Sequence, residues 1–578
     1  RPPETTTDYR HYIEQRPVPV ISHEIGQWCV YPDFNEIPEY TGYLKPKNFE
    51  IFRAQLDADG MGDLAHKFLL ASGKLQTLCY KEDIESALRT PGMGGFELLG
   101  LNDFPGQGTA LIGVLNPFWE TKGYVTAKQF RQFCNTTVPL ALLPKRVFTT
   151  DEKLEADLEV ANFGPGPLPN VTTTWKLVSQ DGRTAASGEL PARDIPVDNG
   201  IALGHININL KDLPAPQQYT LVVGLKGTSF ENSWNVWVYP SQLPPEPRDV
   251  LVTSKFDDAA RNCLQSGGKV LLTISGKNVA NYEKDPVALG FSSIFWNTAW
   301  TDRQAPTTLG ILCDPGSPAL AEFPTDYFSD WNWWYLIHRA GALRLDLLPK
   351  GVNPIVRVID DWVTARPLGL IVEGRVGAGK IIICGFDLTD QTLTDPVSRQ
   401  MRASLVNYLD SEKCRPAVEL TPYQIGSLMV DSGSGKMSNV ESSKASSEEA
   451  GYEAPNAVDG DPGTFWHTDW DADPIPTFPH QLIVKFKTAE EMTGFTALPR
   501  QDGNHNGWIK AFAFYASNDG ANWGEPVVKG TFSNDAKLKT IHFPVTITAK
   551  FVKLVALSGY ADGPWASLAE FNVIHADN

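Results

Sequence analysis

The clearest chemistry near the start of this 578-residue chain lies in Val20-Ile21-Ser22-His23-Glu24-Ile25-Gly26-Gln27-Trp28. A short apolar run, Pro17 to Ile21, delivers a carboxylate and then a glycine turn, with Trp28 and Tyr31 close behind. A barrel strand ends this way when its last residue points into an active site. Retaining glycoside hydrolysis needs two carboxyl groups about 5–5.5 Å apart, one as nucleophile and one as acid/base. Glu24 has the position of the nucleophile; the structural alternative is a strand-end Glu held in an ion pair or hydrogen-bond network. The second carboxyl is harder to place. Asn35-Glu36 follows on the same loop and is expected to be a solvated or subsite residue rather than a relocated acid.

The elements that must position Glu24 alternate between two periods. Helical spacing runs from Asn48 through Leu88, with Phe49, Phe52, Leu56, Leu64, Phe68 and Leu69 as the apolar stripe. A second strand, Gly95 to Leu101, runs into Asn102-Asp103, and a further helix follows from Thr126 to Asn135. Strand, helix, strand, helix over residues 1–145 is the pattern of βα units. Residues 146–240 change to strict alternation, as in Lys153-Leu154-Glu155-Ala156-Asp157-Leu158-Glu159-Val160, which predicts an immunoglobulin-like β-sandwich. After a proline-rich joint, residues 248–415 return to α/β patterning. Apolar runs at Val270 to Ile274, Leu368 to Val372 and Ile381 to Cys384 read as buried parallel strands of a doubly wound domain. Residues 426–578 open on a Ser- and Gly-rich stretch and continue as an all-β pattern. The expected architecture is thus multidomain α/β plus all-β, and about four domains suit this length.

Composition removes some functions. Net charge is −18, against the basic surface that nucleic-acid or anionic-membrane binding needs. No apolar run approaches the ~18 residues of a membrane span. The seven cysteines are scattered, without metal-ligand spacing or a disulfide framework. Sixteen tryptophans leave aromatic surface for stacking on sugar rings, although sandwich cores and interdomain packing use most of it, including Phe295-Trp296, Trp300 and Trp331 to Tyr335.

The His23–Trp28 segment resembles the nucleophile strand of family 2 glycoside hydrolases, the β-galactosidase, β-mannosidase and β-glucuronidase group. The resemblance implies that residues 1–145 are the last two units of a (β/α)8 barrel. It also implies that Glu24 is the catalytic nucleophile, with His23, Trp28, Asn102 and Asp103 as substrate contacts. In that family the acid/base sits on the fourth barrel strand, which this chain does not contain. The expected partner is therefore a separate N-terminal polypeptide that completes the barrel. Residues 248–415 resemble the glutamine-amidotransferase-like fold without its Gly-x-Cys-x-Gly turn, so that chemistry is not expected.

From about residue 440 the chain resembles discoidin-type (F5/8 type C) modules, the fold of family 32 carbohydrate-binding modules. The matching residues are Ala457-Val458-Asp459-Gly460-Asp461-Pro462-Gly463-Thr464-Phe465-Trp466, Ala516 to Trp523 and Ala569-Glu570-Phe571. The resemblance implies a structural Ca²⁺ held by Asp459, Asp461, Thr464 and Glu570, and hard oxygen ligands suit that ion. It also implies sugar contacts at His467, Arg500, Asn506 and Trp565. The combined expectation is the C-terminal segment of a secreted or periplasmic retaining exo-β-galactosidase, acting on polysaccharide-derived oligosaccharides without an organic cofactor. The alternative is a non-catalytic carbohydrate-binding or scaffold protein that uses only the discoidin-like module.

Overall fold

The computed structural model describes residues 2–16, 18–104, 110–280, 287–290, 308–429, 439–460, 463–502, 504–536 and 538–575. They fall into two units, Arg1–Leu420 and Thr421–Asn578.

In the first unit, β1 (Ile21–Ile25) pairs in parallel with β2 (Gly95–Leu98). The connection holds α1 (Lys47–Ala58) and the 24-residue α2 (Ala65–Leu88). Their buried faces, Phe49, Phe52 and Leu56 on α1 and Phe68, Leu69 and Ile84 on α2, join one apolar core with Tyr31, Leu111 and Trp362. The two strands form a sheet of their own, with no third strand among the described residues. One βαβ unit of this kind fits an open sheet as well as a barrel, so the partial (β/α)8 barrel is not shown by the fold. The surroundings of the strands are unusual for a parallel pair, which is normally covered on both faces. Val18, Ile21 and Leu101 are exposed here.

Residues 137–239 form two packed sheets, antiparallel except where the strand Val147–Thr149 runs parallel to Glu231–Tyr239. One has the order β8–β5–β3, from β3 (Thr137–Leu142), β5 (Lys153–Asn162) and β8 (Asp198–Asn209). The other has the order β4–β10–β9–β6–β7, from β4 (Val147–Thr149), β6 (Thr173–Ser179), β7 (Thr184–Glu189), β9 (Gln217–Leu225) and β10 (Glu231–Tyr239). Along β5 the side chains Leu154, Ala156, Leu158 and Val160 turn inward onto Leu221, Val223 and Trp234, which is what period-2 alternation dictates.

A third layer holds a seven-stranded mixed sheet. Strands β11 (Val250–Thr253), β12 (Lys269–Thr273) and β16 (Gly379–Cys384) are parallel. The expectation of parallel strands throughout needs correction at Leu368 to Val372. That segment belongs to β15 (Leu368–Val376), which runs antiparallel to β16 through a tight turn at Gly377, where φ is +57°. Beyond it, β14 (Val356–Val358) and β13 (Ile311–Cys313) are antiparallel as well. Helices α3 (Asp258–Gln265) and α4 (Pro396–Asp410) pack on the parallel part, and each starts on an Asp whose side chain accepts a backbone N–H. Phe295, Trp296 and Trp300 lie outside the described residues. Of the other aromatic cluster, Trp333 is buried in the core of this layer and its indole N–H donates to Thr325.

The second unit is a β-sandwich. Strands β17 (Val440–Ala445), β19 (His480–Leu498), β20 (Ile509–Ser517), β21 (Val528–Thr531), β22 (Lys539–Gly559) and β24 (Glu570–His575) make one six-stranded antiparallel sheet, and β18 (Trp466–His467) pairs with β23 (Ser567–Leu568). Phe495, Phe514 and Phe543 fill the core, the first two stacked at 4.8 Å between centroids. Among the described residues no helix is long and apolar enough to cross a membrane.

Candidate sites on the first strand and in the terminal sandwich

At the end of β1 the backbone leaves regular strand geometry. Pairing with β2 shifts register between Ser22 and Ile25, and Glu24 sits at φ +51°, a left-handed conformation uncommon for a non-glycine residue. Gly26 follows at φ +82°, and a Cβ there would come within 1.8 Å of the Tyr80 ring, so this turn requires glycine. Such local strain is concentrated at functional sites. His23 bridges two carboxylates: its Nε2 lies 3.4 Å from Glu24 Oε1 and its Nδ1 3.2 Å from Glu97 Oε2. The three side chains are open to solvent, 75%, 46% and 62% exposed for His23, Glu24 and Glu97. Glu97 is a member of this cluster that the sequence did not single out; its position on the neighbouring strand was the available signal.

The other residues expected at this site are placed elsewhere or otherwise engaged. Trp28 is half-buried, and its indole N–H donates to Asp83 at 3.1 Å. Asn102 donates through its amide to the Asp103 carbonyl. Asp103 is a correction: its side chain is 2% exposed, paired with Lys122 at 2.6 Å, and it accepts the Gly113 N–H. Burial pushes its carboxyl up while Lys122 and the Gly113 N–H pull it back. A carboxylate committed to a buried ion pair is not a sugar contact in this arrangement.

Glu36 is the second correction. It is not solvated but 1% exposed, and neither carboxyl oxygen has a hydrogen-bond partner among the described residues. Burial, reinforced by nearby Asp103, pushes this carboxyl up to about 8, so it is largely protonated at neutral pH.

The terminal sandwich assembles a different kind of site. Short strand β18 brings His467 to the end of the sandwich opposite Ser567 of β23. His467 is buried, with Nδ1 2.6 Å from the Thr468 carbonyl oxygen. A carbonyl can only accept, so Nδ1 carries the proton and Nε2 is left as an acceptor. Burial, with Arg500 nearby, holds this imidazole below its usual range and keeps it neutral. Arg500 lies flat on the Phe465 ring at 4.2 Å from guanidinium to centroid, a cation–π contact. Its Nε donates to Asp502 at 2.8 Å, a second N–H bonds the same carboxylate, and Nη1 reaches the Asn506 carbonyl at 3.4 Å. Asn506 also receives the Ser567 hydroxyl on its carbonyl, so its side-chain amide is not spent on this network.

Trp470 packs edge-on against His467 at 4.7 Å and against Tyr452 at 5.2 Å. Trp565 is half-buried two residues before Ser567, and its indole N–H has no partner among the described residues. His467, Arg500 and Asn506 are thus tied into one network. Phe465, Trp470 and Asp502 are the positioning residues that sequence reasoning did not single out, although Phe465 stands inside a motif it used.

For the expected calcium, Asp461 lies outside the described residues. Asp459 accepts the Thr464 hydroxyl at 2.7 Å, and the same hydroxyl reaches the Asn456 carbonyl at 3.4 Å. Glu570, on β24, is buried at 1% exposure. These are oxygen donors only, the chemistry a hard cation takes. Among the described residues no three His, Cys, Asp or Glu side chains converge as a metal cluster.

Comparison with known families identifies the second unit first by class. Residues 442–571 match the F5/8 type C domain family, so the chain carries a β-sandwich of that type. Residues 152–240 and 251–430 match two domains of unknown function, DUF8488 and DUF8487. Galactose oxidase of Gibberella zeae is 42% identical over 132 residues, which are 23% of this chain and 19% of the oxidase. A sialidase of Micromonospora viridifaciens is 28% identical over 213 residues, 37% of this chain and 30% of the sialidase. The chain thus spans less than a third of the length of either relative.

Among solved structures, the family 32 module of Clostridium perfringens NanJ in complex with galactose is 33% identical, with a TM-score of 0.21, covering 23% of this chain and 91% of the module. The C. perfringens module CpGH89CBM32-5, in complex with GalNAc-β-1,3-galactose, is 34% identical, with a TM-score of 0.21 over 23% and 94%. Modules of this type are typically extracellular.

Proposed function

We propose that this protein binds non-reducing galactose-type sugars through its terminal module. The observation that carries the reading is the paired presentation of a fixed acceptor and a fixed donor. His467 Nε2 accepts, and Arg500 donates through the N–H groups that its bonds to Asp502 and Asn506 leave over. Adjacent sugar hydroxyls take one of each, and both side chains are immobilised before the sugar arrives, which lowers the entropy cost of binding. Asn506 and Trp565 are the further contacts, the latter as an aromatic plate. Asp459, Asp461, Thr464 and Glu570 would hold Ca²⁺ as a structural ion, which would stiffen the loop between Asn456 and Phe465. The acidic chain, placed outside the cell, would serve to hold its carrier on a glycan. Calorimetric titration of the full chain with galactose and with glucose tests this: preferential binding of galactose that Arg500→Ala weakens on the order of fiftyfold is expected, and equal or absent binding of both would overturn it.

A second reading is favoured by one observation in the first unit, the parallel β1–β2 pair with open edges and the His23–Glu24–Glu97 cluster at its end. In that reading residues 1–145 close the barrel of a retaining β-galactosidase whose remaining strands come from a separate polypeptide. Glu24 would attack the anomeric carbon, and a carboxyl outside this chain would protonate the leaving oxygen and then activate water. His23, between two carboxylates, would orient Glu24. The native mass of the protein taken from its source, compared with its denatured mass, checks this: a tightly bound second polypeptide is expected, and a lone chain that hydrolyses no β-galactoside would defeat the reading.

A further inference from the structure

The loops that leave the C-terminal ends of β1 and β2, the end at which Glu24 stands, meet through the Tyr40 and Phe118 rings, edge-on at 5.0 Å. The second loop is anchored to the chain leaving β2, where Asp103 donates its backbone N–H to the Leu115 carbonyl at 3.0 Å. Its tip, residues 116–120, is a fixed turn. The buried Asn116 side chain accepts the backbone N–H groups of Phe118 and Glu120, and its amide donates to the Glu120 carboxylate at 3.1 Å. On that turn stands Trp119, at φ +68° and 64% exposed. A left-handed backbone favours glycine, and an indole left in water gains nothing from burial. Local stability is thus against this residue twice, and an outlier of this kind points to a use for the ring. Next to it, the exposed carboxyl groups of Glu120 and Glu39 lie within hydrogen-bond reach of each other. Desolvation, then the charge of Glu120 and the hydrogen bond to it, push the Glu39 carboxyl up. The lysines nearest in the two loops are spent elsewhere, Lys122 on Asp103 and Lys45 on the Tyr40 carbonyl.

We propose that Trp119, Glu120 and Glu39 form a second carbohydrate site, for an uncharged pyranose that lies on the indole and gives adjacent hydroxyls to the carboxyl pair. The C–H face of a sugar ring packs on an aromatic face, and hydrogen bonds to carboxylates are the strong ones. All three side chains already reach solvent, so nothing has to move to admit the sugar. Asn116 fixes the turn before binding, which lowers the entropy cost. Two carboxyl groups that share a proton offer acceptors and one donor, the set that hydroxyls match; an ammonium would need both ionised. The site has no residue in common with the terminal module, so the two stand or fall separately.

The test is saturation-transfer NMR on the full chain carrying Arg500→Ala, so that the terminal site is weakened. The probes are methyl β-D-galactopyranoside and methyl β-D-glucopyranoside, with glucosamine as the cationic control. Saturable binding of at least one methyl glycoside is expected, weakened about tenfold when Trp119→Gly is added and about as much when Glu120→Gln is added. Trp119→Gly should leave the unfolding temperature unchanged or raise it, because glycine accepts the left-handed turn without strain. Binding of neither glycoside, binding of glucosamine alone, or binding that either substitution leaves untouched would overturn the proposal. So would a lowered unfolding temperature in Trp119→Gly, which would give the ring a structural role instead.

Discussion

His23, Glu24 and Glu97 stand at the end of a two-stranded parallel sheet, largely open to water. His467 and Arg500 stand at the end of a closed sandwich, each fixed by a backbone or carboxylate partner. The difference is in the supporting shell. Phe465 supports the guanidinium from below, Asp502 aligns it, and Trp470 backs the imidazole. On β1, among the described residues, nothing comparable holds Glu24 except its own strained backbone and one histidine. A catalytic carboxylate has to be held to within a fraction of an ångström, and strained geometry persists only where surrounding structure over-determines it. The cluster on β1 has the strain without that shell; the network in the terminal sandwich has the shell.

The sharpest way to break this contrast is Glu24→Gln. Removing a nucleophile costs several orders of magnitude, so on the barrel reading hydrolysis of a β-galactoside should fall by about a thousandfold or more. Galactose binding should be unchanged. Turnover that survives the substitution would place the chemistry elsewhere and leave His23–Glu24–Glu97 as a surface ion cluster. Arg500→Ala comes next. It removes charged donors and leaves Asp502 with the Asn504 N–H alone, and galactose affinity measured by calorimetry should drop on the order of fiftyfold. Arg500→Lys should recover little of it, because an ammonium cannot reproduce the fork that meets Asp502. Full affinity in either variant would show that the preorganised network does not touch the sugar.

How much of this the chain announces in its sequence follows the same division. Alternation along Lys153 to Val160 states which side of β5 is buried, because a strand's faces are set by its own residues. The direction of Leu368–Val376 is not stated, since a strand covered on both faces has the same apolar composition whether its neighbour is parallel or antiparallel. Asp103 has the local setting of a strand-end carboxylate. Its partner, Lys122, comes nineteen residues later across a loop, and no periodicity links the two. Glu36 is harder still: nothing near it in sequence offers a partner, so solvation is the natural expectation, and the fold buries it anyway. Arg500 and Asn506, six positions apart in one turn-rich loop, are reached only through the resemblance to discoidin-type modules. His467 joins them only through pairing of Trp466–His467 with Ser567–Leu568, a contact a hundred residues long.

Glu36 offers a sharper measurement in the first unit. Its folded carboxyl, at about 8, lies above the ordinary Glu value near 4.3. The folded state therefore holds a proton that the unfolded state has released, and the contribution of this group to stability is fully present below pH ~4.3 and is lost as pH rises toward 8. Glu36→Gln keeps the shape of the neutral acid and removes that loss. It should stabilise the protein by on the order of 2 kcal/mol at pH 7.5 and by nothing at pH 4.5, read from urea unfolding. A variant less stable than the parent at pH 7.5 would mean that the carboxyl is ionised and paired.

The smallest effect belongs to the terminal sandwich. His467 titrates below its unfolded value because burial disfavours the imidazolium. Between the folded and unfolded values the unfolded state binds the extra proton, so stability is present above the unfolded value, near 6.5, and is lost as pH falls from there toward the folded value. Unfolding of the terminal sandwich, followed in the full chain, should thus begin to shift to lower temperature as pH drops below about 6.5, and His467→Gln should flatten that slope. Galactose affinity should hold over the same range, because the folded imidazole stays neutral and Nε2 goes on accepting. If affinity instead falls in step with stability, the imidazole is charging in the folded state, and the fixed acceptor that sets this site apart from the one on β1 is not fixed at all.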